Sequence, residues 1–171
     1  MNQTRFYSFV AGLYLDPLQK GLQTAHALGE MRNEFGMCNE GVPADSLFDQ
    51  WCSIDKTIII LTAVNHAGVV GLYEKLVPLA KQLNLPHSIF FEDEASMNLM
   101  ATACSVVVPE ELYDVELETY DDVRDLAPVK MQLYVHNLKD EDGKETGVQT
   151  RYNEGTHYFE FIKLLKSYKR A

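Results

Sequence analysis

Basic side chains are scarce in this chain: 15 Lys and Arg stand against 25 Asp and Glu in 171 residues, a formal charge of −10. Only Arg5, Lys20, Arg32, Lys56, Lys75 and Lys81 fall in the first 108 residues. That shortage argues against a general nucleic-acid binder, because affinity for a phosphate backbone rests on Lys and Arg. It leaves room for a local basic patch. Cysteine is sparse too. Cys38, Cys52 and Cys104 are an odd set with no Cys-x-x-Cys spacing, which speaks against a disulfide framework and a zinc site. They read as small buried hydrophobes rather than thiolate nucleophiles. No apolar run approaches the ~18 residues of a membrane span, and residues 1–5 lack the basic-then-apolar order of a signal peptide. A reduced, cytoplasmic setting without a membrane partner is the expectation. Also missing are Gly-x-Gly-x-x-Gly, a phosphate-binding loop, a nucleophile elbow and paired metal-binding histidines, so the usual dinucleotide, nucleotide and metallohydrolase classes drop out.

What is present is an ordinary globular composition, 46% apolar, on a length that suits one domain of roughly 100–150 residues plus an extension. Charge divides the chain. Residues 110–125 hold Glu110, Glu111, Asp114, Glu116, Glu118, Asp121, Asp122 and Asp125 against Arg124 alone. Like charges repel and stay hydrated, so a core of residues 1–112 is expected, then an acidic connector at 113–128 and an extension at 129–171.

Within the core, residues 6–15 read as a first strand. Asp16-Pro17 supplies a helix cap and a first-turn proline, and residues 18–35 are helical, ended by Gly36. Leu18, Leu22, Ala25, Leu28, Met31 and Phe35 share one side at ~100° per residue, while Gln19, Gln23, His26 and Glu30 share the other. Residues 44–51 read as a short helix with Trp51 as a packing anchor. Residues 57–64 are apolar on both faces of a period-2 ladder, which predicts a central strand covered on both sides. A helix over 69–83 follows, with Pro78 outward, then strands at 87–91 and 104–108 around a short helix or loop at 93–101. The extension reads as a strand at 129–137, a turn at Asp142-Gly143, a returning strand at 148–152 and a helix at 158–168. Strands alternating with helices predict an α/β sandwich, at least partly parallel, with a C-terminal α+β extension packed on it.

Open α/β sheets bind ligands beyond the carboxyl ends of their parallel strands. Those ends deliver Asp16, then Asn65 and His66, then Glu92, Asp93 and Glu94 followed by Ser96, Asn98 and Thr102. The run 15–27, Leu-Asp-Pro-Leu-Gln-Lys-Gly-Leu-Gln-Thr-Ala-His-Ala, resembles the opening helix of type II peptidyl-tRNA hydrolases. That family places a glycine-lysine pair and then Ala-Gln-x-x-His-Ala directly after its first strand. A short helix ending in Trp51, an aliphatic strand, a helix, a strand leading to an acidic loop with hydroxyls, and a valine-rich strand ending at Pro109 follow in the family's order. The resemblance spans about residues 5–112 and is closest to short, divergent members found in bacteriophage genomes.

The resemblance implies an α/β three-layer sandwich with a mixed, mostly parallel four-stranded sheet, and hydrolysis of the ester joining a peptidyl or aminoacyl group to tRNA with neither metal nor cofactor. It assigns Lys20, His26, Glu92 and Ser96 to catalysis. Gln19, Gln23, Asn65, His66, Asp93 and Thr102 are the binding candidates. In the implied chemistry a carboxylate deprotonates water or a hydroxyl, and a lysine stabilises the oxyanion. Three departures stand out. Lys20-Gly21 reverses the family's pair, Glu92 replaces an aspartate, and Glu92-Asp93-Glu94-Ala95-Ser96 replaces an Asp-Ala-Gly-x-Thr loop. A second reading stays open: a binding module that keeps the fold without the chemistry and captures a host protein or small ligand. A homodimer stays open as well. Residue by residue, Gln19, Gln23, His26 and Glu30 also fit the wet side of an amphipathic helix. Glu92 to Glu94 also fit an acidic helix start, and Asn65-His66 fits a simple turn.

Overall fold

Two strands that are buried along most of their length organise the molecule. β1 (Thr4–Val10) and β4 (Ala101–Pro109) occupy the middle of a four-stranded sheet of order β2-β1-β4-β3, with β2 (Ile58–Thr62) and β3 (His87–Phe91) at the edges. These and the following elements are seen in a computed structural model, which describes residues 3–13, 15–36, 46–114, 134–139, 145–151 and 157–168. β1 pairs parallel with β2 and antiparallel with β4, and β4 pairs antiparallel with β3. β1, β2 and β3 therefore run one way and β4 runs against them.

Two sequence expectations are corrected by this topology. The protein is α/β and its sheet is mixed, but one pairing is parallel and the other two are antiparallel, so it is not mostly parallel. The aliphatic run at 57–64 is an edge strand rather than a central one, and Ile58 remains 44% exposed. The strand covered on both faces is β4, whose small and β-branched residues are all buried. Apolarity alone did not separate the two, because an edge strand flanked by helices also carries apolar residues on both faces.

Helix α1 (Pro17–Phe35) begins with a reciprocal cap: Asp16 accepts from the Gln19 N–H at 2.8 Å, and the Gln19 side chain accepts from the Asp16 N–H at 3.0 Å. After α2 (Leu47–Gln50) a π-helical turn, Trp51–Asp55, leads into β2. The Trp51 indole donates to the Thr57 carbonyl at 2.8 Å and packs on Phe6. Helix α3 (His66–Gln82) carries Pro78 on its exposed side, and the short helices α4 (Glu94–Met97) and α5 (Glu110–Tyr113) flank β4. Further on, β5 (Tyr134–Lys139) pairs antiparallel with β6 (Glu145–Arg151), and α6 (His157–Lys166) follows.

Helices lie on both faces of the sheet. Tyr7, Phe9, Cys104, Val106 and Val108 meet Leu72 and Leu76 of α3 and Phe161, Ile162 and Leu165 of α6 in one cluster. The alternate residues Phe6, Val10, Ala103 and Val107 meet Ala27 and Met31 of α1, with Phe48 and Trp51. Among the described residues no helix is long and apolar enough to cross a membrane. The acidic connector beyond Asp114, Cys38, the loop at 39–43 and the turn at Asp142-Gly143 lie outside the described residues.

Helix α1 is rotated relative to its amphipathic reading. Gln23, Thr24, Ala27 and Met31 are buried, whereas Leu18 is 83% and Leu22 53% exposed. The cause is the surface on which the helix rests. In register across three strands, Ser8 of β1, Ser105 of β4 and Ser88 of β3 form a row of buried hydroxyls. The Ser88 hydroxyl donates to the Ala27 carbonyl at 2.7 Å. The Thr24 hydroxyl lies 2.9 Å from the Lys20 carbonyl and 3.1 Å from the Ser8 hydroxyl. A sheet surface that offers hydrogen bonds favours the polar side of the helix over its leucines, because a buried hydroxyl without a partner is costly.

Candidate functional site

β1, β2 and β3 end on the same side of the sheet, where β4 begins: the Ala11 N–H donates to the Thr102 carbonyl at 2.9 Å, and the Glu92 N–H to the Met100 carbonyl at 3.0 Å. The rotation of α1 brings Gln23 over this end. Gln23 is 5% exposed, and both ends of its amide are engaged. Its Nε2 donates to Glu92 Oε1 at 2.5 Å, and its Oε1 accepts from the Thr102 hydroxyl at 2.9 Å. Thr102 is itself buried. The amide thus bridges a hydroxyl of β4 and one oxygen of a carboxylate that is only half-buried.

One turn along α1, the exposed His26 ring lies on the Phe90 ring, with centroids 4.6 Å apart and planes 13° from parallel. Phe90 and Glu92 are two residues apart at the end of β3, and Gln23 and His26 three apart on α1. The strand and the helix thus meet in two adjacent contacts, one polar and one aromatic. Lys20 is half-buried one turn before Gln23 on α1. Gln23, His26, Glu92 and Thr102 come from three separate elements and gather at this end of the sheet, with Lys20 one turn earlier on α1.

The other candidates are placed differently. Gln19 closes the α1 cap. Asn65 caps α3, accepting from the Gly68 N–H at 2.9 Å. The Ala101 N–H donates to His66 Nδ1 at 3.2 Å, and the imidazole ties the start of α3 to the start of β4. Just before it, Val64 has φ 63° and the Asn65 N–H reaches back to the Ala63 carbonyl at 2.8 Å. This is a tight three-residue turn in a backbone region that β-branched residues rarely enter. Gly68 is required there, because a Cβ would sit 2.0 Å from the Ala63 carbonyl oxygen. Asp93 is exposed at the start of the α4 loop, and Ser96 lies within α4, its side chain outside the description. Among the described residues no group of three His, Cys, Asp or Glu side chains could hold a metal.

Sequence reasoning missed Phe90, the row of serines and the burial of Gln23. A signal for the serines was available: Ser8, Ser88 and Ser105 are hydroxyls at inward positions of otherwise apolar strands, where a polar residue needs a partner. No protein-family model matches the chain, and no curated protein sequence does.

Proposed function

We propose that this chain hydrolyses the ester between a peptidyl or aminoacyl group and the ribose of tRNA, as the resemblance to type II peptidyl-tRNA hydrolases implies. One observation supports it above others. The glutamine of the helix motif and the loop carboxylate, 69 residues apart in sequence, are hydrogen-bonded at the strand ends where such a site belongs. The finer fold assignment, a three-layer sandwich of that family's type, is part of the same proposal and draws support from the helices on both sheet faces.

In this reading Glu92 takes a proton from water, and the resulting hydroxide attacks the ester carbonyl. Lys20 stabilises the oxyanion, and collapse of the tetrahedral intermediate releases the ribose hydroxyl, which receives the proton held by Glu92. Gln23 and Thr102 set the carboxylate, and Ser96 is the further hydroxyl. No metal or cofactor takes part in the proposed steps.

Hydrolysis of N-acetyl-aminoacyl-tRNA by the parent chain and by Glu92→Gln tests the proposal. Turnover in the parent that falls on the order of 10²- to 10⁴-fold in the variant, at unchanged melting temperature, is expected. Full activity in Glu92→Gln removes that residue from the mechanism. One observation favours the second reading, a binding module. Glu92, Asp93 and Glu94 follow one another at the site, and the last two are exposed, which disfavours RNA phosphates. No turnover and no tRNA binding at low salt would select it and direct attention to a host protein or small ligand.

A further inference from the structure

A nucleic-acid ligand poses an electrostatic problem here. The mouth of the site carries three successive carboxylates, and the chain has a formal charge of −10, so the phosphates of an RNA end gain little from it. The site also contains something that attracts no phosphate but attracts a base. The His26 imidazole is exposed and lies flat on Phe90, 4.6 Å between centroids and 13° from parallel. Phe90 is half-buried against Val10, Ala27 and Ala103, so the lower ring is anchored in the core and fixes the plane of the upper one. A pre-oriented ring whose neighbourhood is open to solvent is the element on which single-stranded nucleic acids stack their bases, since every base has a π-face and none of its charge is involved.

A second, independent observation points the same way. Leu18, Leu22 and His26 recur at four-residue spacing and so share one edge of α1. Both leucines are exposed, at 83% and 53%. The first three turns of this edge thus form an uncharged, apolar strip leading to the imidazole, on a helix whose docking side carries glutamine and threonine instead.

We infer that the His26–Phe90 pair is a stacking platform for a nucleobase, and that in the hydrolase reading, on which this rests, it receives the terminal adenine of the acceptor end. The ester on the adjoining ribose would then lie toward Glu92, because Glu92 is two residues beyond Phe90 on the same strand end and is bonded to Gln23, three residues before His26. His26 then works as a binding group through its ring face rather than as a proton carrier.

The test uses adenosine and the RNA trinucleotide CCA with the full chain. Adenosine is expected to move the His26 ring protons upfield in NMR titration. Trinucleotide binding should weaken about 5- to 150-fold in His26→Ala, the range for loss of one base–aromatic stack, and recover in His26→Phe. Both effects should survive in Glu92→Gln, which separates the platform from hydrolysis. If ester is cleaved but His26→Ala binds the trinucleotide as tightly as the parent, the platform is wrong and the hydrolase reading stands. If the stacking results hold while no ester is cleaved, the platform stands and the hydrolase reading fails. Histidine signals unmoved by adenosine, together with no effect of His26→Ala, overturn the inference outright.

Discussion

The two faces of the central sheet are built from the same strands but by different chemistry. Toward α3 and α6 the sheet presents Tyr7, Phe9, Cys104, Val106 and Val108, and the helices answer with leucines, Phe161 and Ile162. Toward α1 it presents the hydroxyls of Ser8, Ser88, Ser105 and Thr102 set among Phe6, Val10, Ala103 and Val107, and the helix answers with Gln23 and Thr24 beside Ala27 and Met31. Dispersion and hydrophobic burial act on the first face without regard to direction. Hydrogen bonds act on the second only in particular geometries. The hydroxyl row fixes where α1 lies, hence where Gln23 and His26 project. The candidate site sits at the end of the face that is specified by direction.

The largest effect expected from this contrast is on the apolar side. Phe161 is fully buried on α6 against α3 and the sheet, so Phe161→Ala should cost about 3–5 kcal/mol, measured by denaturant unfolding. A cost below ~1 kcal/mol would mean that α6 is not part of this core. The same face should also be sensitive to alkali. Burial pushes the Cys104 thiol well above its usual value of 9.0, and the Tyr73 hydroxyl is pushed up to about 12, first by burial and then by Glu34. Both groups favour the neutral form in the folded state. Their contribution is complete below pH 9, where the unfolded chain also keeps its protons, and is lost as pH rises and only the unfolded chain ionises. Stability should therefore fall above pH 9 by up to about 1.4 kcal/mol per pH unit from Cys104, with Tyr73 adding to the fall above pH 10. Cys104→Ala should flatten that slope, and a slope unchanged by it would assign the alkaline loss elsewhere.

On the hydroxyl face a substitution should separate stability from function. Thr102→Val removes the donor to Gln23 Oε1 and leaves a buried amide oxygen unpaired, at about 1–3 kcal/mol. The freed amide no longer holds Glu92 in one place, so hydrolysis of the tRNA ester should fall on the order of 10- to 100-fold at temperatures where the variant is still folded. Equal losses in Thr102→Val and in an apolar-face variant of matched stability would show that the site depends on stability alone.

How much of this was legible in the sequence differs between the two faces in the same way. The apolar side of α3 was readable, since Val69, Leu72, Leu76 and Ala80 recur at helical spacing and are buried, and so were the capped start and glycine end of α1. Hydrophobic periodicity reports which residues avoid water. Where the partner surface is itself polar, that criterion reverses, and it assigned Leu18 and Leu22 to the inside and Gln23 to the outside. The pairing of Gln23 with Glu92 depends on bringing a helix and a strand together across 69 residues, which no local pattern encodes. The motif resemblance named both residues, but the contact between them is a product of the fold. The edge position of β2 was hidden for a related reason: the order of strands is decided by where β4 inserts, not by the composition of β2.

The smallest predicted effect discriminates most finely between two accounts of the serine row. Ser8, Ser88 and Ser105 are small, and smallness alone would let α1 approach the sheet closely. If that were their whole role, alanine would serve equally well. The Ser88 hydroxyl, however, donates to the Ala27 carbonyl at 2.7 Å from a position that is 3% exposed. Ala27 lies mid-helix, so its carbonyl keeps an intrahelical partner when the serine is removed, and no orphaned acceptor is created. The cost of Ser88→Ala is thus the net value of one buried hydrogen bond, about 1 kcal/mol, with a slight relaxation of α1 that the His26–Phe90 ring-current shifts would register. Ser88→Val adds volume at the same point and should cost about 1–3 kcal/mol by forcing the helix outward. A Ser88→Ala variant with unchanged stability and unchanged His26 shifts would reduce the row to a matter of size, and α1 would then be positioned by the Gln23 and Thr24 contacts alone.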